Sequence, residues 1–257
     1  MASVGLTELT THLNQLLNIS AFTDYCPNGL QVAGRPTISK LITGVTANQA
    51  LIDQAIEQQA DAILVHHGFF WKGEAAEIVG IKKQRLAALL AHDISLLAYH
   101  LPLDVHAEYG NNAQLAKILG LTAQRTVKVD GIHDLLWFGQ LAKPTSPQDF
   151  IQQLNSLLQQ KPLHIVGDAY YAKPIHHVAW CTGAAQRYVE HVLNEPIDAY
   201  ITGEVSESIV HTVRESPLHF FAAGHHATER YGVQALGHYL QEKFGIIHQY
   251  VDISSPV

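Results

Sequence analysis

The sequence predicts an α/β protein of two similar domains, each with a mixed, mostly parallel sheet flanked by helices. Three observations carry that expectation. The segment 41–68, LITGVTANQALIDQAIEQQADAILVHHG, reads as an apolar β-rich run, a stretch of helical periodicity and a second apolar run, which is a βαβ pattern. The segment 178–204, VAWCTGAAQRYVEHVLNEPIDAYITGE, repeats that plan, with Asp61-Ala62 corresponding to Asp198-Ala199. After each unit comes a further apolar run ending on a histidine, ISLLAYH at 94–100 and LHFFAAGH at 218–225. Strands alternating with helices imply parallel pairing, right-handed crossovers and a site at the carboxyl ends of strands.

The other elements follow in order. TELTTHLNQLLNIS, residues 7–20, predicts an N-terminal amphipathic helix. Tyr-Gly steps at Tyr109 and Tyr231 each open an amphipathic helix, YGNNAQLAKILG and YGVQALGHYLQEKFG. Between the halves, Gly131, Gly139, Pro144 and Pro147 punctuate the alternating run LLWFGQLA, which reads as strand followed by loop. SPQDFIQQLNSLLQQ, residues 146–160, has a Ser-Pro-Gln-Asp start suited to an N-cap and predicts a helix of the second half. The expected domains are 1–125 and 126–257, the second a pseudo-repeat of the first.

Composition narrows the function. The 257 residues are 47% hydrophobic, enough for a full core, with 16 basic against 23 acidic side chains and a net charge of −7. No Lys/Arg cluster is denser than KKQR at Lys82–Arg85, so no nucleic-acid partner is expected. The longest apolar candidate, ISLLAYHLPL, is broken by His100 and Pro102, so no membrane span is expected. The N-terminus lacks a basic stretch followed by an unbroken apolar one, and Cys26 and Cys181 show no CxxC spacing. A cytoplasmic protein with structural cysteines is therefore expected.

Histidine is out of line at 17 residues. His66 and His67 follow DAILV at a strand's C-terminal mouth, where a turning backbone lets adjacent imidazoles serve two neighbouring ions. The next strand ends His100-Leu-Pro-Leu-Asp104, and its counterpart ends His225-His226-Ala-Thr-Glu229, giving His-x-x-x-carboxylate twice. At i, i+4 such residues share one helical face, although Pro102 makes the first instance irregular. Neutral nitrogen donors plus two carboxylates suit two divalent ions, zinc, iron, manganese or nickel, better than calcium or magnesium. Such a pair would activate a water for hydrolysis of a small-molecule substrate. The expected metal ligands are His66, His67, Asp104, His225 and Glu229. His100, as an orienting group, and Glu204, equivalent to His67 in the repeat, are the catalytic candidates. The remaining histidines, His226 among them, read as ordinary hydrogen-bonded or surface residues. Neither GxxxxGK[ST] nor GxGxxG is present.

The strings DYCPNGLQVAG, ADAILVHHGFFWKGE, YHLPLDVHAEYGNNAQLA, AWCTGAAQ, DAYITGEVSE and FFAAGHHATERYGV resemble the YbgI-like members of the GTP cyclohydrolase 1 type 2, or Nif-three-like, family of dinuclear metal-binding proteins. The resemblance covers nearly the whole chain. It implies the same five metal residues, a metal pair in the cleft between two α/β domains, and a toroidal homohexamer. It also implies opening of the guanine imidazole ring of GTP with formate release. Hydrolysis of another small molecule or phosphoester, or a non-enzymatic metal-binding scaffold, are the alternatives.

Overall fold

In the computed structural model, which describes residues 2–257, the chain opens with β1 (Val4–Gly5), α1 (Leu6–Leu16), β2 (Gly29–Val32), β3 (Thr37–Ile38) and β4 (Lys40–Thr46). It continues through α2 (Gln49–Glu57), β5 (Ala62–His67), α3 (Gly80–Ala91), β6 (Ser95–Ala98) and α4 (Leu101–Val105). Then come α5 (Asn111–Leu119), β7 (Thr122–Val129), β8 (Ile132–Thr145), α6 (Pro147–Leu158), β9 (Leu163–Ile165) and β10 (Ile175–Trp180). The chain closes with β11 (Ala199–Thr202), α7 (Glu207–Arg214), β12 (His219–Ala222), α8 (His225–Phe244) and β13 (Ile247–Tyr250).

Two units form. One holds the chain through Gly110 together with Gly232–Ile253, and the other holds Asn111–Tyr231 and Ser254–Val257. The divide expected between residues 125 and 126 falls inside β7, which is hydrogen-bonded to β8 along its length. A boundary inside a continuous ladder would break many contacts, so the chain divides just before α5 instead. The last stretch returns to the first unit because β13 pairs in parallel with β4.

The first unit's main sheet runs β13-β4-β5-β6-β2, parallel except at β2, which pairs antiparallel with β6. Both faces of this sheet are covered. Ala62, Leu64, Leu41 and Leu97 pack with Leu9 and Leu13 of α1, while Ile63, Val65, Ile42 and Leu96 pack with Leu51 and Ala55 of α2 and Leu89 of α3. Side chains alternate across a strand, so a run such as DAILV with no polar alternation is what a sheet covered on both faces requires.

The second unit's sheet runs β7-β8-β10-β11-β12-β9. Its centre, β10-β11-β12, is parallel and mirrors β4-β5-β6, whereas the pairs β7·β8, β8·β10 and β12·β9 are antiparallel. Phe150, Leu154 and Leu158 of α6 lie on one face of this sheet, fully buried against Val178, Trp180, Ile201 and Phe221. Each such side chain contributes about 2 kcal/mol of burial. Ser146 caps α6 as expected, its hydroxyl accepting from Asp149 N at 3.2 Å, with Pro147 in the first turn.

The second βαβ unit departs from expectation in its connector. The segment after β10 forms a 3₁₀ helix over Gln186–His191 rather than an α-helix. In the first unit Asn48 caps α2 by accepting from Leu51 N at 2.9 Å, but Ala185 at the corresponding place offers no side-chain acceptor. The last long helix starts at His225, earlier than the Tyr-Gly step suggested. No helix among the described residues is long and apolar enough to cross a membrane.

Candidate metal centre

In the first unit, β5 delivers His66 and His67 at its carboxyl end, with ring centroids 4.4 Å apart. His66 is fully buried, and its Nδ1 lies 2.9 Å from the Tyr99 carbonyl. A carbonyl only accepts, so Nδ1 carries a proton, and Nε2 is the ring nitrogen turned to Asp104 Oδ1, 3.5 Å away. That arrangement is the usual one around a metal-binding histidine. His67 Nδ1 lies 3.2 Å from Thr46 Oγ1 on the neighbouring strand, so Nε2 is the ring atom facing away from that strand.

Asp104 reaches this place through α4. His100 is the N-cap residue and Pro102 sits in the first turn, where its missing N–H and fixed φ cost nothing. Pro102 is therefore accommodated, and Leu101–Val105 forms one helical turn, with His100 outside it as an N-cap of non-helical backbone (φ −95°, ψ −109°) whose carbonyl accepts from Asp104 N at 3.2 Å. His100 lies beside the pair, 5.0 Å from His66 and 5.7 Å from His67 between ring centroids. One ligand atom from each of His66, His67 and His100 falls within 4.8 Å of the others.

Asp24, which no spacing in the sequence marks, holds His100 in place. Its carboxylate lies 3.0 Å from His100 Nδ1 and accepts from Asn28 Nδ2 (2.9 Å), Leu101 N (3.1 Å) and Tyr25 N (2.7 Å). Burial pushes this carboxyl up, but His100 and the other donors outweigh it and hold the pKa below the ordinary value. The only signal for Asp24 is its place in DYCPN, because two of its four partners, His100 and Leu101, lie 76 and 77 residues away.

Cys26 lies close by, but burial, with Asp24 and Asp104 nearby, pushes its thiol up to about 12. Burial thus favours the protonated thiol, and Cys26 and Cys181 are both buried and form no disulfide.

In the second unit, His225 and Glu229 stand one turn apart at the start of α8, His225 Nε2 lying 3.1 Å from Glu229 Oε2. Glu204, just after β11, accepts from His225 Nδ1 at 2.7 Å. Burial lowers the affinity of His225 for its proton, but Glu229 and Glu204 outweigh it and raise the pKa to about 9. Gly183 makes room for this pair. A Cβ there would stand 2.1 Å from Glu229 Oε1 and 3.2 Å from His225 Nε2. Its amide donates to Thr228 Oγ1 at 3.1 Å, so the turn after β10 is fixed against α8.

Each unit thus brings its expected residues together: His66, His67 and Asp104, with His100 alongside, in the first; His225 and Glu229, with Glu204 as partner, in the second. Several other histidines serve packing, as expected. His12 bonds Tyr239 (2.8 Å), His248 bonds Thr43 (2.8 Å), and His164 bonds His219 (3.0 Å).

The model of the Duf34/NIF3 (NGG1p interacting factor 3) family matches residues 4–255. The chain belongs to the DUF34/NIF3 family. Among its members, a GTP cyclohydrolase 1 type 2 homolog of Pseudomonas aeruginosa is 49% identical over 254 residues, covering 99% of both chains. The solved structure of protein ybgI, described as of unknown function, is 46% identical with a TM-score of 0.94, covering 99% of this chain and 100% of its own. That of TTHA1606 from Thermus thermophilus is 34% identical with a TM-score of 0.88 and the same coverage. The DUF34/NIF3 fold therefore extends over nearly the whole chain, and its clustered histidines and carboxylates are of the kind that binds metal.

Proposed function

We propose that the protein is a dinuclear metal-dependent hydrolase of the GTP cyclohydrolase 1 type 2 kind, in which His66, His67, Asp104, His225 and Glu229 together hold two divalent ions, zinc, iron, manganese or nickel. The observation that carries this reading is the tautomer of His66, fixed by Tyr99 O so that Nε2 faces the Asp104 carboxylate. The bare Cα of Gly183 beside Glu229 supports it, since the space a methyl would fill is kept for the carboxylate. Three imidazoles and two carboxylates fit borderline transition ions. When bound, such a pair supplies Lewis acidity and acidifies a water near neutral pH.

The chain's own residues do the rest. Tyr99 O, Thr46 Oγ1 and Glu204 Oε1 orient the three imidazoles. Glu204 and the Nε2 of His100, whose Nδ1 Asp24 occupies, are the candidates for moving protons in this reading. With GTP, water adds at C8 and the C8–N9 bond breaks, leaving a formamide on N7. A second water cleaves that formamide to formate and the amine. The relatives' printed names support this substrate, as does the family resemblance, which also supports a ring-shaped homohexamer working in the cytoplasm.

The test is formate release from GTP by protein reloaded with each metal, beside Asp104→Ala prepared identically, with bound metal counted by mass spectrometry. Metal-dependent formate that disappears with the variant's metal supports the reading. Full turnover by a variant that has lost its metal, or no turnover with two ions bound, overturns it.

A further inference from the structure

We propose that Tyr25 and Trp71 form an aromatic shelf that receives the planar heteroaromatic ring of the substrate beside His67 and His100. The inference rests on the hydrolase reading for the identity of that ring, a purine, and on geometry for its place.

Of the three tryptophans, Trp137 is 8% exposed and Trp180 0%, and both lie in the core, whereas Trp71 is half-buried. Tyr25 is 53% exposed, an unusual state for a large ring next to buried histidines. The two rings come from separate segments, yet their centroids lie 5.9 Å apart with planes inclined by 34°. Trp71 meets His100 edge-on at 5.2 Å and lies 6.2 Å from His67, and Tyr25 meets His100 at 5.0 Å.

The shelf is held rather than loose. The Lys72 amide donates to Tyr25 O at 2.6 Å, tying the two segments together. The Gln31 amide group donates to Pro27 O (2.8 Å) and Phe69 O (3.1 Å), and its oxygen accepts from Phe69 N (2.7 Å). Phe70 takes a left-handed φ of +66°, which turns the chain so that Trp71 doubles back toward His100. A non-glycine residue in that conformation is strained, and the Gln31 clamp maintains it.

A separation of 5.9 Å is too small for a third ring between the two, which needs about 7 Å, twice the ~3.5 Å contact distance. The ligand ring therefore lies on the open side of the pair, stacked on one face, with its edge turned toward His67 and His100. Stacking tolerates any planar heteroaromatic ring and recognises neither ribose nor phosphate.

Trp71 is the tryptophan outside the core, so the fluorescence difference between the wild type and Trp71→Phe reports this site. Guanosine, GMP and ribose 5-phosphate are titrated into the full-length, metal-reloaded protein. Guanosine and GMP are expected to quench Trp71 saturably, and ribose 5-phosphate is not. Tyr25→Ala is expected to weaken guanosine at least fivefold, whereas Tyr25→Phe retains binding. Absence of saturable quenching, or equal guanosine affinity of Trp71→Leu and wild type by equilibrium dialysis, overturns the shelf. Formate measured in the same samples with GTP separates the two ideas. Ring binding without formate refutes the GTP reaction and leaves the shelf, and formate release indifferent to Trp71→Leu refutes the shelf and leaves the reaction.

Discussion

Replacing Gly183 with alanine tests the second unit's donor pair through a single methyl group. The added Cβ would stand 2.1 Å from Glu229 Oε1, where ordinary contact begins near 3.4 Å, so the carboxylate must withdraw by 3.4 − 2.1 = 1.3 Å. Metal–ligand distances hold within about 0.2 Å, so a displacement of that size removes Glu229 as a donor. Metal affinity is expected to fall by at least 10- to 100-fold, the range for losing a group that merely supports a ligand, since here a donor itself is withdrawn. Gly183 also sits at φ +71°, where alanine costs about 1 kcal/mol, so the metal-free protein should melt a few degrees lower. The assays are metal competition against a chromogenic chelator and thermal melting of metal-free protein. Unchanged metal affinity alongside a lowered melting temperature would show that Glu229 is not a donor. No change in either would refute the steric argument itself.

Two further perturbations follow from the hydrogen-bond networks. Asp24→Asn keeps the shape but removes the charge that accepts from His100, Asn28, Leu101 and Tyr25, and a destabilisation of about 2–3 kcal/mol is expected in the urea midpoint. The His100 ring-nitrogen NMR shifts should move too, and an unaltered midpoint and spectrum would remove Asp24 from its positioning role. His164 and His248 are each lowered to about 4, first by burial and then by a neighbouring imidazole, against an ordinary 6.5. The folded chain keeps them neutral while the unfolded chain takes up protons, so their contribution is complete above pH 6.5 and is lost as pH falls toward 4. After solvent screening each is worth on the order of 1 kcal/mol. His164→Gln and His248→Gln should flatten the fall in urea midpoint between pH 7 and 5, and an unchanged slope would count against it.

The two parallel three-stranded centres were legible in the sequence because a strand covered on both faces must be apolar throughout, as Ala62–Val65 and Ala199–Ile201 are. The clustered histidines and carboxylates were legible because they end a strand, as His66 and His67 do, or stand in the helix that follows one, and His225 and Glu229 needed only one helical turn to meet. The 3₁₀ connector after β10 was not legible, since periodicity in residues 186–191 resembles a helix and only the missing cap at Ala185 distinguishes it. Nor was the helical turn Leu101–Val105, where Pro102 is a breaker in a helix interior but acceptable in a first turn.

The sequence by itself determined the two βαβ patterns, their repeat, and the histidines and carboxylates at or just after the strand ends, because periodicity and short spacing are local properties of the chain. Only the tertiary structure decided that β13 returns to pair with β4, that Asp24 grips His100, that Tyr99 O fixes the His66 tautomer, and that Gly183 leaves space for Glu229. These depend on groups far apart in sequence. Their meeting is set by how sheets and helices pack, and no local pattern records it.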